Sequence, residues 1–73
     1  MDRAVINEAI KARLSEIHSR LSEAAQIAKA AEACASAGSV AEAVTVSMDI
    51  EQLIYEAGRL DDAASLLNRL SQA

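Results

Sequence analysis

The sequence predicts an all-α protein: an antiparallel helical hairpin that pairs with a second copy of itself into a four-helix bundle. Each half of the 73-residue chain carries apolar residues at alternating steps of three and four, and a turn signal lies between the halves. There is no proline to interrupt a helix. These observations predict a single domain over residues 1–73, with helices at about 2–37 and 40–72 and a turn at 38–39.

The first arm has an apolar row typical of a heptad seam. The row begins at Ile10 and continues through Leu14, Ile17, Leu21, Ala24, Ala28, Ala31 and Ala35. Asn7 occupies the preceding seam position, where one polar residue fixes the register at some cost in stability. The unbroken spacing predicts one helix up to the turn.

The turn is predicted around Gly38, because glycine readily takes the left-handed backbone that closes a helix. Ser39 is followed three residues later by Glu42. This spacing is that of a capping box, in which each side chain accepts a hydrogen bond from the other residue's amide. A second helix is therefore expected to start here.

The second arm has a matching row, formed by Ala43, Val46, Ile50, Leu53, Ala57, Leu60, Ala64 and Leu67. Two features favour alternatives: residues 44–50 alternate apolar and polar as a strand would, and Gly58 could break the helix to give three helices. No second strand candidate exists to pair with the first, and the heptad phase continues through Gly58. One continuous helix is the preferred prediction.

Folding the arms together predicts that Arg20 lies near Glu56 as an ion pair at the rim of the seam. The arms also carry apolar residues outside the two seams, namely Ile6, Ala25, Ile27, Ile54, Ala63 and Leu70. Three to four apolar positions per heptad are typical of a four-helix bundle, and a second copy is the simplest source of two more helices. The architecture resembles that of ROP in form.

A further apolar stripe on the second arm points away from the seam, and it predicts the surface for the second copy or for another protein. The candidate interface residues are Val44, Met48, Ile54, Tyr55 and Leu66. Met48 and Tyr55 are suitable anchors in either case, because a flexible thioether and an aromatic ring both adapt to a partner surface.

No catalytic, nucleotide or metal motif is found, so we expect a non-enzymatic protein without a cofactor or metal. His18 lacks the glutamate three residues earlier that a di-iron site needs, since residue 15 is serine. Cys34 lies about 24 Å from His18 along one helix, too far to share an ion. We interpret His18 as a polar residue at the interface edge and Cys34 as a small apolar filler.

The chain is mildly acidic, with 11 acids against 7 bases and a net charge of -4, which makes nucleic acid an unfavourable partner. One cysteine, no signal-peptide core and no membrane-length apolar run favour a cytoplasmic location. We therefore predict a homodimeric adaptor or regulator of another protein. Two alternatives remain: a nucleic-acid regulator using Lys11, Arg13, Arg20 and Lys29, and a secretion-type co-chaperone forming half of a heterodimer.

Overall fold

The computed structural model describes residues 2–72 and consists of two long helices joined by a tight turn. Helix α1 runs over Arg3–Ser36 and helix α2 over Val40–Gln72. The helices pack against each other as an antiparallel hairpin, 54 Å long and 14 by 11 Å across. The predicted all-α hairpin is confirmed, and no strand occurs within residues 2–72.

Side-chain and backbone caps define both ends of α1. At the start, the Asp2 carboxylate accepts a hydrogen bond of 2.9 Å from the Ala4 amide. At the end, the Ser39 amide donates to the Cys34 carbonyl at 3.1 Å and the Gly38 amide donates to the Ala35 carbonyl at 2.9 Å. This pair of bonds is a Schellman motif, and it requires the left-handed φ of +97° observed at Gly38.

The predicted capping box is wrong. The Ser39 amide, which Glu42 was expected to satisfy, already donates to the Cys34 carbonyl. The first bond of α2 is a backbone bond of 3.0 Å from the Ala43 amide to the Ser39 carbonyl. Glu42 still lies in the first turn of α2, where a negative charge interacts favourably with the helix dipole.

Helix α2 is continuous through both segments that favoured an alternative. The strand-like run at 44–50 is helical, and the Thr45 hydroxyl donates to the Ala41 carbonyl at 3.2 Å while the Ser47 hydroxyl donates to the Val44 carbonyl at 2.8 Å. The helix also passes through Gly58 without a break. The three-helix alternative is therefore wrong.

The seam of α2 lies where the heptad row predicts it. Its buried residues are Ala43, Leu53, Ala57 and Ala64, and its half-buried ones include Ile50, Leu60 and Leu67. Val46 is the exception, since 40% of its surface is exposed.

The seam of α1 is rotated by one residue from the predicted row. Ile10, Ile17, Ala24 and Ala31 are buried or half-buried as expected, but Leu14 and Leu21 are 53% and 47% exposed. Their place against α2 is taken by Ile6, Arg13, Arg20, Ile27 and Cys34. The arginines fit there because their aliphatic stems can pack on α2 while the charged ends reach water.

Candidate interaction surfaces

The two flanks of the hairpin differ in character, and the Arg20–Glu56 ion pair marks the polar one. The Arg20 Nε lies 3.8 Å from the Glu56 Oε2, which confirms the predicted pair and aligns these residues across the seam. Glu23, Asp49 and Gln52 lie beside this pair, along a shallow groove that Ile27 and Leu53 also line. This flank is lined mainly by charged and amide side chains.

The opposite flank carries a row of exposed apolar side chains. Each helical residue turns about 100°, so Leu21, one residue after Arg20, and Ile54, two residues before Glu56, both rotate to the other side of the hairpin. Leu14 and Ala28 lie one heptad either side of Leu21 and continue the row along α1. We call Leu14, Leu21, Ala28 and Ile54 the side face.

The side face is open to solvent over its whole length. Ile54 is 56% exposed, close to the values of Leu14 and Leu21, and Ala28 is also exposed. The row includes residues of both helices of the hairpin. Rows of exposed apolar residues on paired helices are where a further layer of helices packs in four-helix bundles.

A second apolar surface lies on the back of α2, away from α1. Val44, Met48 and Tyr55 are 59%, 70% and 62% exposed there, and we call them the outer ridge. Met48 and Tyr55 border a shallow depression with Glu51 and Gln52. The ridge belongs to one helix only, so it offers a narrow strip on which one more helix could lie.

Acidic residues surround the outer ridge. Between residues 40 and 58, α2 carries four carboxylates and no lysine or arginine. Glu56 is paired with Arg20, whereas Glu42, Asp49 and Glu51 form no ion pair within residues 2–72. Arg59, one turn after Tyr55, is the first base beyond this stretch and lies 3.9 Å from Asp62. The ridge is therefore bordered mainly by acidic side chains.

The five interface residues predicted from the sequence are all exposed, but the structure does not bring them to one surface. Ile54 belongs to the side face, whereas Val44, Met48 and Tyr55 form the outer ridge. Leu66 is 51% exposed and lies eleven residues, about 16 Å, beyond Tyr55 along α2.

Sequence reasoning assigned Leu14 and Leu21 to the hairpin seam and therefore missed them as surface residues. One signal could have revealed them. Ile6, Ile10, Ile17, Ala24, Ile27 and Ala31 also follow steps of three and four when Arg13 and Arg20 are allowed as seam positions. Two overlapping rows on one helix indicate two packing surfaces.

The polar side chains of interest do not form a chemical site. No group of three or more His, Cys, Asp or Glu gathers for a metal ion within residues 2–72. His18 is exposed, with its Nε2 3.4 Å from the Ser22 hydroxyl oxygen. The half-buried Cys34 thiol donates to the Ser39 carbonyl at 3.5 Å, which ties it to the turn.

The basic residues of α1 are mostly paired with carboxylates and do not share one face. Lys11 lies 3.1 Å from Glu8, and Arg13 lies 3.9 Å from Glu16. Arg20 is engaged across the seam with Glu56. These pairs partly neutralise the charges that a phosphate backbone would need.

No protein-family model, curated protein or solved structure matches this chain. Within residues 2–72, neither helix contains a stretch apolar and long enough to span a bilayer.

Proposed function

We propose that the protein is a non-enzymatic protein–protein interaction module that acts as a homodimer and binds another helical protein as an adaptor or regulator. The observation that carries this proposal is the amount of apolar side chain left outside the hairpin core. Among residues 2–72, eleven large hydrophobic residues are exposed, whereas six apolar residues, four of them alanines, are buried.

The surface area supports the same proposal. The chain exposes 5331 Å², whereas a compact monomer of its mass is expected to expose about 4,300 Å². Its radius of gyration of 16.7 Å exceeds the value of about 11 Å expected for a compact domain of this length. A hairpin with so little core gains stability by covering its apolar flanks with further helices.

The outer ridge is the surface we assign to another protein. Met48 and Tyr55 are the most exposed large apolar residues described, and their types are favoured as interface anchors. The acidic surroundings favour a helix that carries basic residues beside its apolar stripe. We place this interaction in the cytoplasm, because a lone cysteine is typical of a reducing compartment.

The proposal is tested by affinity purification of the tagged protein from its source cells. The wild type is compared with Met48→Glu/Tyr55→Glu and with Ser65→Glu/Gln72→Glu, which adds the same charge to exposed polar sites of α2. We expect a specific protein to be recovered with the wild type and the control, and lost with the ridge variant. Recovery of the same proteins by all three would contradict the assignment.

The exposed apolar flanks also fit a co-chaperone that exists only as half of a heterodimer. The two functions differ in the behaviour of the chain expressed alone. A homodimeric module stays soluble and shows a helical circular dichroism spectrum. Half of an obligate heterodimer is unfolded or aggregated when it is expressed alone. A nucleic-acid regulator is less well supported, because Lys11, Arg13 and Arg20 are paired with carboxylates.

A further inference from the structure

We infer that the side face, and not the outer ridge, is where the second copy docks, with the two α1 helices antiparallel about a two-fold axis near Leu21. This inference rests on the proposed homodimer and adds its interface and topology. It assigns a role to Leu14 and Leu21, which the hairpin itself leaves exposed.

Residue size along α1 is self-complementary about Leu21. A two-fold axis perpendicular to the helices brings residues at equal distances before and after Leu21 into opposition between the copies. Leu14 lies seven residues before Leu21 and Ala28 seven residues after it. Each large side chain therefore meets a small one of the second copy, which is how close-packed layers fill space.

The charges at the edge of the side face are also complementary about the same axis. Lys11 lies ten residues before Leu21 and Glu32 eleven residues after it, a difference of about 1.5 Å in height. Lys11 and Glu32 are three heptads apart, so they share one face of α1, and this face borders the side face. Antiparallel docking therefore brings each Lys11, which is paired with Glu8 in the single hairpin, close to Glu32 of the second copy as a further carboxylate, at both ends of the interface.

Helix α2 fits this arrangement. The Arg20–Glu56 pair places Leu21 at the height of Ile54 and Tyr55 along the hairpin. Ile54 therefore lies near the same axis, where it can pack on Leu21 and on Ile54 of the second copy. Ser47 and Asp61 lie seven residues either side of Ile54, so each Asp61 lies opposite a small hydroxyl side chain and not opposite a second carboxylate.

The alternative two-fold axis, parallel to the helices, gives a poorer fit. It keeps both turns at one end and lays α1 of one copy on α2 of the other at equal height. Leu14 would then cover Asp61 of the second copy and remove water from that carboxylate without a partner charge. The antiparallel arrangement avoids this contact.

The hairpin has surface to spare for a dimer interface. Because one chain exposes 5331 Å², a fully compact dimer would bury up to about 3,500 Å² in total, an upper limit that lies above the roughly 1,200–2,000 Å² of standard interfaces. Docking on the side face also leaves the outer ridge open for a different protein, since Met48 and Tyr55 lie about 100–120° around α2 from Ile54.

Sedimentation equilibrium of matched variants tests the inference. Leu14→Glu/Leu21→Glu adds two charges to the side face, and Met48→Glu/Tyr55→Glu adds two to the outer ridge. We expect the first variant to raise the dimer dissociation constant about a hundredfold or more and the second to leave it unchanged, with helix content checked by circular dichroism. A ridge variant that dissociates, or a folded side-face variant that stays dimeric, would overturn the interface.

A charge exchange tests the topology and does not depend on the leucine variant folding. Lys11→Glu and Glu32→Lys should each weaken the dimer about fivefold, and the double variant should recover most of that loss. Lack of recovery overturns antiparallel docking. A monomeric wild type would instead contradict the proposed homodimer itself, so the two failures are distinguishable.

Discussion

The two glycines of the chain have opposite structural roles. Gly38 has a φ of +97° and ends α1, whereas Gly58 lies within α2 with helical backbone. A Cβ atom added at either position would meet no atom within 4 Å. The effect of a substitution therefore depends on backbone conformation alone and not on steric contact.

We expect Gly38→Ala to destabilise the hairpin by about 1–2 kcal/mol, because an L side chain disfavours the left-handed region. Gly58→Ala is the matched control and should stabilise the protein by up to about 1 kcal/mol, since alanine is the better helix former. Urea denaturation followed by circular dichroism measures both. Equal effects of the two substitutions would contradict the turn described for Gly38.

At the scale of the helices, the sequence predicted the existence, length and direction of both elements, and it predicted the seam of α2. It could not choose the seam of α1. Leu14 and Leu21 define one heptad row, Ile6 and Ile27 define another, and both rows share Ile10, Ile17, Ala24 and Ala31. A search for the most apolar row excludes Arg13 and Arg20 from the seam. In the packed hairpin, however, the aliphatic parts of arginine side chains can lie against the other helix.

The interaction surfaces were predicted less well for the same reason. Which residues of α1 remain exposed depends on how the helix is rotated against α2, and that rotation is a property of the packed pair. The outer ridge did not depend on this rotation, so Met48 and Tyr55 could be identified from α2 alone.

The rotated seam makes a prediction about Ile27. This residue borders the seam beside Leu53, whereas the neighbouring Gln26 is exposed. We expect Ile27→Ala to lower the free energy of unfolding by about 1–3 kcal/mol and Gln26→Ala to change it by less than about 0.5 kcal/mol. Denaturation midpoints measure the difference. If Ile27→Ala left the stability unchanged, Ile27 would not belong to the seam and the rotated seam would be contradicted.

The Arg20–Glu56 pair should set the alignment of the helices more than their stability. Its side chains are 37% and 36% exposed and 3.8 Å apart, so solvent screens the attraction. A double-mutant cycle with Arg20→Met and Glu56→Gln is expected to give a coupling energy below about 1 kcal/mol. A coupling of about 2 kcal/mol or more would mean that the pair is a main stabilising contact.

At the scale of the whole molecule, two features have one explanation. The hairpin is elongated, and it has an apolar face on one flank and a polar, ion-paired face on the other. Association of two such hairpins through the apolar flank would give a four-helix bundle whose shared core uses both heptad rows of α1. The row that the hairpin does not use would then be buried by the second copy.

Sedimentation equilibrium of the wild-type protein over a wide concentration range tests this account most directly. We predict a species of twice the chain mass of 7.7 kDa, with a melting temperature that rises with protein concentration. A folded species that keeps the mass of one chain at every concentration, with a constant melting temperature, would contradict it.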